Sequence, residues 1–170
     1  MCAWLTLDGT NIDYPVLQGE TNLSYINTDV YGNFALAGSI FLDSRNSSTF
    51  ADVFSLLYGH HMENSQMFGD LDKYRSADFF QKNNTGTLLV PGGRYALRVF
   101  ACIVVSASDD LIYQPLQWQA DNVPAMLDRL QADALCVDQA AMDDLRTAQD
   151  PKVLCMSTCS SDYTDARTVV

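Results

Sequence analysis

The sequence predicts a mostly β fold, a largely antiparallel barrel or sandwich with two helical insertions. Three observations lead there. Short runs of apolar, β-branched and aromatic residues recur along the 170 residues, joined by turn-prone clusters and not by helices. The final stretch, Val153 to Val170 (VLCMSTCSSDYTDARTVV), reads strand, turn, strand. Helical periodicity is confined to one region after His61 and another before Asp150. Strands that follow each other through turns pair antiparallel, whereas a parallel sheet needs a long crossover between neighbours.

Taken in order, Ala3 to Leu7 alternates like a strand and Asp8-Gly9 makes a turn. Asn11 to Leu17 contains Pro15, which suits an edge strand or a strand end. Thr21 to Asn27 is expected as a short helix capped by Thr21, and Gly32 to Leu36 as loop. Gly38 to Leu42 is a strand, Asp43 to Thr49 a polar loop, and Val53 to Tyr58 a buried-type strand ending at Gly59-His60-His61. Met67, Leu71 and Tyr74 fall on one face of a helix, and Ser76 could cap a further turn over Ala77 to Lys82. Thr87 to Val90, the turn Pro91-Gly92-Gly93 and a long strand Tyr95 to Ser106 follow. Ser108 to Trp118 is irregular. Asp121 to Leu135 reads as a helix, with Asp121 as cap, Pro124 in the first turn and Met126, Leu127 and Leu130 on one face. Ala140 to Thr147 is a shorter helix before the terminal hairpin.

Length and composition describe one domain, residues 1–170, with 48% hydrophobic residues and so enough apolar mass for a core. Only ten Lys and Arg stand against a net charge of -11, with no basic run, which argues against nucleic-acid binding. No stretch of 18 apolar residues is present, so nothing spans a membrane as a helix, and no signal peptide is visible. The chain opens abruptly on MCAWLTL and stops within a strand-like run, as an excised domain would. Its five cysteines (Cys2, Cys102, Cys136, Cys155, Cys159) are odd in number and irregularly spaced, which fits no disulfide framework. On an extended strand Cys155 and Cys159 lie about 13 Å apart at about 3.3 Å per residue, too far to bridge. No metal or other cofactor is expected.

If the two terminal runs pair as a hairpin, Cys159 ends one strand and Arg167 starts the next, within side-chain reach. A cation beside a thiol favours thiolate and stabilises developing negative charge. The plainer reading makes Cys159 a small buried hydrophobe and pairs Arg167 with Asp165 or Asp162. His60 and His61 are the only histidines, and strand alternation sends them to opposite faces. A cysteine and a histidine at strand ends can act as nucleophile and acid/base. At ordinary values near 6.5 and 8.5, their ion pair would be about 1% of the neutral pair.

Tyr58-Gly59-His60-His61-Met62 resembles the histidine motif of sortases, and Met156-Ser157-Thr158-Cys159 with Arg167 resembles their cysteine and arginine motifs. Gly9-Thr10, Ile12 to Val16, Asn22 to Ile26 and Ala37 to Asp43 resemble class B sortases, as does the helix inserted between Ser108 and Asp150. The resemblance implies an eight-stranded β-barrel with added helices, one of them inserted before the last two strands. It implies a cysteine transpeptidase at the outer face of a Gram-positive membrane, held by an N-terminal anchor outside this chain. Such an enzyme cleaves a C-terminal sorting signal of a secreted surface protein after threonine, the signals being Asn-Pro-x-Thr-like in class B. It then joins the acyl group to an amine, from a peptidoglycan precursor or from a pilin lysine. By motif, Cys159 is the nucleophile, His60 the acid/base and Arg167 the oxyanion and positioning residue. His61 stands where the family often has asparagine and receives no catalytic role, and Met156 stands where relatives usually have leucine. Asn22, Ile26, Tyr58, Ile112, Tyr113 and Ser157 are the expected substrate contacts, with core packing the alternative for each. A hydrolytic cysteine peptidase and a non-catalytic peptide-binding barrel are the competing functions.

Overall fold

The structure, a computed structural model, describes residues 1–170. Its strands are β1 Ala3–Leu7, β2 Asp13–Leu17, β3 Ile40–Leu42, β4 Phe54–Tyr58, β5 His61–Met62, β6 Gln66–Met67, β7 Thr85–Val90, β8 Gly93–Arg98, β9 Ala101–Ser106, β10 Ala134–Val137, β11 Val153–Cys159 and β12 Ala166–Val169. The α-helices are α1 Ala77–Lys82, α2 Asp110–Tyr113, α3 Val123–Asp133 and α4 Gln139–Thr147. Ten strands form one sheet in the order β10-β9-β12-β11-β4-β3-β2-β1-β7-β8, while β5 and β6 pair separately. Seven of the nine pairings in the large sheet are antiparallel, and β2 with β3 and β4 with β11 are the parallel exceptions.

The expected strand Tyr95 to Ser106 is broken at Val99-Phe100 into β8 and β9. The two halves lie near opposite ends of the strand order. Because two residues join them covalently, the sheet must curl until its ends approach at that join. Arg98 and Asp138 form an ion pair across it at 2.8 Å, and the Asp138 amide donates to the Phe100 carbonyl. This break, together with the short β10, accounts for ten strands where eight were expected. β10 occupies the last part of the expected Asp121–Leu135 helix and the residues just after it. There the backbone leaves α3 to pair with β9, and Leu135 turns outward at 52% exposure.

Two cores sit on the two faces of the curled sheet. One gathers Leu5, Leu7, Ile12, Ile40, Leu42, Leu57, Phe68, Leu71 and Tyr74. The other packs Phe54, Leu56, Ile103, Val153, Cys155 and Val169 beneath Val123, Met126, Leu127 and Leu130 of α3 and Met142 of α4. Strand β4 feeds both, Leu57 into the first and Phe54 and Leu56 into the second. A strand buried on both faces shows a continuous apolar run without alternation.

Several local expectations change. Thr21 to Asn27 forms turns and no helix, with the Thr21 carbonyl accepting from the Ser24 amide and its hydroxyl from the Leu23 amide. Gly69–Arg75 is a 3-10 helix. Its period of three places Leu71 and Tyr74 on one buried face, while Met67 belongs to β6 with positive φ. Ser76 occupies the cap position of α1 without a side-chain bond. Asn122, and not Asp121, precedes α3. The stretch read as irregular contains α2, whose first turn is capped by Asp109 through the Leu111 amide at 2.9 Å. Pro15 keeps its place because β3 pairs only with Val16 and Leu17, so its missing N–H leaves no ladder bond unmade on that side.

Candidate active site

Three neighbouring strands end together. β4 and β11 run parallel with Ser157 level with Tyr58. The Gly59 amide donates to the Ser157 carbonyl at 3.2 Å, and the Thr158 hydroxyl donates to the Gly59 carbonyl at 2.9 Å, so the pairing continues past the strand end. Counting on by two residues brings His60 level with Cys159. On the other side β12 runs antiparallel to β11, with Cys159 opposite Arg167. His60, Cys159 and Arg167 therefore occupy one row across three adjacent strands, each step about 4.8 Å. Residues in one row of a sheet point to one face.

Cys159 is the one exposed cysteine of the five. Cys155, two register pairs from Ser157, faces the second core, and burial pushes its thiol far up, which leaves it inert. Burial likewise pushes Cys102 up to about 12. Arg167 donates to the Ala166 carbonyl at 2.8 Å and makes no ion pair. Asp162, one of its expected partners, is held instead by Arg75 at 2.7 Å. His60 Nε2 lies 2.7 Å from the Ile26 carbonyl oxygen. A carbonyl only accepts, so Nε2 carries a proton and Nδ1 is left to exchange one. His61 turns the other way and pairs with Asp72 at 2.8 Å, which also accepts from the Thr168 hydroxyl.

The three residues line a cleft of about 1070 Å³ counted out to its open mouth, together with Asn22, Leu23, Ile26, Phe41, Arg45, Tyr58, Tyr113 and Ser157. Of the expected substrate contacts, Ile112 alone is absent from it. Ile112 is 1% exposed and packs in the second core, because the helical turn of α2 directs it inward and its neighbour Tyr113 toward the cleft. Tyr113 donates to or accepts from the Ser157 hydroxyl at 2.7 Å and stacks on Tyr58, which stacks on Phe41.

Beneath the cleft lies a hub that sequence reading missed. The Asp43 carboxylate is wholly buried and accepts from Arg45 Nε and Nη2, the Tyr58 hydroxyl and the Asn22 amide, all within 2.9 Å. Arg45 reaches on to the Tyr113 carbonyl at 2.9 Å and to Gln114. Asn22 spends its other end on the Ser44 amide at 2.7 Å. The hub thus ties the turn at Asn22, the end of β3, the end of β4 and α2 into one wall. Burial by itself raises the Asp43 carboxyl, but the bonds from Arg45, Tyr58 and Asn22 outweigh it and hold the group below the usual carboxylate range. Burial and the adjacent Asp43 carboxylate push the Tyr58 hydroxyl far up, so it serves as a donor. The signal available in the sequence was an acid two residues before an arginine at a strand end, which is too common to single out.

This geometry sets an exposed thiol, an imidazole of fixed tautomer and an unpaired guanidinium along one partly apolar cleft. Such a set suits attack on a carbonyl and transfer of its acyl group.

Comparison with known proteins agrees with that fold. The family description "Sortase domain" matches residues 5–170. Sortase B of Staphylococcus aureus is 30% identical over 162 residues, 95% of this chain and 64% of that protein. Sortase B of Listeria monocytogenes is 32% identical over 174 aligned positions, covering all of this chain and 68% of that protein. The chain thus spans about two thirds of the length of these relatives. A Streptococcus pyogenes class B sortase involved in pilus biogenesis superposes with a TM-score of 0.85 and 37% identity, over 99% of this chain and 88% of that one.

Proposed function

The chain belongs to the sortase family, in its class B, and from that premise we propose that it is a cysteine transpeptidase that cleaves a sorting signal and joins the acyl group to an amine. The single observation that carries this reading is the row His60, Cys159, Arg167 across three adjacent strand ends, with Cys159 the one exposed thiol.

The chemistry follows from that row. The Cys159 thiolate attacks the carbonyl carbon of a threonine in the signal peptide, and the oxygen takes up negative charge beside the Arg167 guanidinium. The carbon–nitrogen bond breaks as His60 gives its proton to the leaving nitrogen, and a thioester remains. An amine then attacks the thioester, loses a proton to His60, and expels the thiolate. Asn22, Ile26, Tyr58, Tyr113 and Ser157 shape the cleft in which the peptide lies. The signal is Asn-Pro-x-Thr-like, and the enzyme works on the outer face of a Gram-positive membrane, attaching surface proteins to the cell wall through a peptidoglycan-precursor amine. No helix of the chain is long and apolar enough to cross a membrane. The likeness to the Streptococcus pyogenes protein involved in pilus biogenesis supports a second reading, in which the amine is a pilin lysine.

The test is mass spectrometry of the protein after incubation with an Asn-Pro-x-Thr peptide, with Cys159→Ala alongside. The expected result is a thioester adduct on the wild type, absent from the variant, and a new amide bond when the right amine is added. Glycine oligomers against a pilin lysine peptide separate the two acceptors. Release of free acid regardless of amine would make the protein a peptidase. No adduct from any panel of signals would leave a peptide-binding barrel.

A further inference from the structure

The seven residues Ser160 to Ala166 join the nucleophile to the arginine, and they carry two carboxylates, Asp162 and Asp165. The Ser160 amide donates to the Ala166 carbonyl, which closes this loop directly against the Cys159–Arg167 pair. A carboxylate in so short a loop is the natural partner for Arg167, and such a pair would cancel the charge that the site needs. Neither acid makes it. Asp165 has positive φ, which breaks the strand alternation that would otherwise put it on the face of Arg167. Asp162 is drawn to the far side by Arg75, the last residue of the 3-10 helix Gly69–Arg75, in a two-pronged pair with Nη1 to Oδ2 at 2.9 Å and Nη2 to Oδ1 at 2.7 Å. The Ser160 hydroxyl donates to the same carboxylate. Nearby Asp72 is also occupied, by His61 and Thr168.

We propose that Arg75 is a positioning residue that sequesters Asp162, and so keeps the Arg167 guanidinium unpaired and available to negative charge at Cys159. The proposal rests on the reading of Arg167 as the group that receives that charge. Arg75 itself touches neither the cleft nor the nucleophile. Its two-pronged geometry matters, since planar guanidinium and carboxylate bind in one fixed orientation and a point charge would not hold the loop as well. Both groups are about a third exposed, 33% and 32%. A pair so exposed contributes little to global stability. Its loss therefore leaves the fold intact and acts on the local field.

The experiment compares alkylation of Cys159 by neutral iodoacetamide and anionic iodoacetate at fixed pH. The other four cysteines are buried, so the labelling reads this thiol. The ratio of iodoacetate to iodoacetamide rates reports how much free positive charge stands beside it. Arg75→Gln should lower that ratio at least threefold, as expected for cancelling one charge a few ångströms away near a protein surface. Asp162→Asn should leave the ratio within about twofold of wild type, and Arg75→Gln with Asp162→Asn together should restore it. Arg75→Lys should recover at least half of the loss. Melting temperatures of all variants report folding separately.

Equal losses in Arg75→Gln and Asp162→Asn with no restoration in the double variant would make the pair a simple loop clamp and overturn the proposal. An unchanged ratio in Arg75→Gln would overturn it as well. The labelling needs no peptide, so it stands apart from the transpeptidase reading. If no signal peptide ever acylates the wild type but the ratios behave as expected, the sequestration holds and the peptide chemistry falls. With a working peptide, acyl-enzyme formation in Arg75→Gln should slow about tenfold and recover in the double variant, and no slowing would overturn the catalytic consequence.

Discussion

His60 Nε2 and the carbonyl oxygen of Ile26 stand 2.7 Å apart, joining the proposed acid/base to a turn 34 residues earlier in the chain. That carbonyl has its own neighbour, Gly38, which has φ +57, and a Cβ placed there would meet the Ile26 oxygen at 2.2 Å and the Tyr25 oxygen at 2.7 Å. Gly38 is therefore the residue that lets the carbonyl stand where His60 needs it. Gly38→Ala is expected to cost about 1–3 kcal/mol through backbone strain and to lower the acylation rate by about tenfold or more by unfixing the ring. Thermal melts and single-turnover acylation check both. A variant that melts early but acylates at the wild-type rate would detach the Ile26 carbonyl from catalysis.

The two adjacent histidines should behave differently. His61 faces Asp72 on the opposite side from the cleft. His61→Gln is expected to keep acyl transfer within about threefold, whereas His60→Gln should lose at least about 100-fold. Steady-state kinetics of the two variants decide it, and equal losses would contradict the tautomer argument.

Asp43 should set part of the acid limit of stability. Its carboxyl is held below the usual range in the folded chain. An unfolded aspartate titrates near 3.9, so its stabilising contribution is full above about pH 4 and is lost as the pH falls through the lower, folded value. Asp43→Asn should cost about 2–3 kcal/mol at pH 7, where it removes charge-assisted bonds to a partly exposed Arg45. The variant should also show a flatter fall in stability below pH 4. Denaturant melts from pH 3 to 7 test this, and parallel curves for the two proteins would be the contrary result.

Tyr113 and Ser157 share one hydrogen bond at 2.7 Å across the cleft wall, with Ser157 only 3% exposed. A double-mutant cycle with Tyr113→Phe and Ser157→Ala should give a coupling of about 0.5–1.5 kcal/mol in stability. The single variants should raise KM for the peptide more than they lower kcat, because in the proposed reaction this wall holds the substrate and takes no part in the bond changes. A coupling near zero would mean that the bond is replaced by water.

Local pattern carried much of this protein. The alternation of Ala3–Leu7, the two-faced apolar run ending at Tyr58 and the strand-turn-strand of Val153–Val170 were legible because each encodes its own burial in its own residues. So was the juxtaposition of Cys159 with Arg167, which a hairpin register imposes on neighbours in sequence. The motifs around His60 and Cys159 identified the family for the same reason.

What the sequence could not hold was every relation between distant segments. The parallel register that sets His60 level with Cys159 joins residues about a hundred apart and depends on how β4 and β11 find each other. The break at Val99-Phe100 arises from curling the sheet, since no residue there is a strand breaker by type. Ile112 and Tyr113 look alike as a pair of apolar neighbours, and one helical turn sends the first to the core and the second to the cleft. The same holds for Asp162 and Arg75, 87 residues apart, and for Asp43 as a hub. Side-chain burial follows local periodicity, and so can be read from a short window. Charge pairing and cleft shape depend on which surfaces meet, and only the folded chain brings them together.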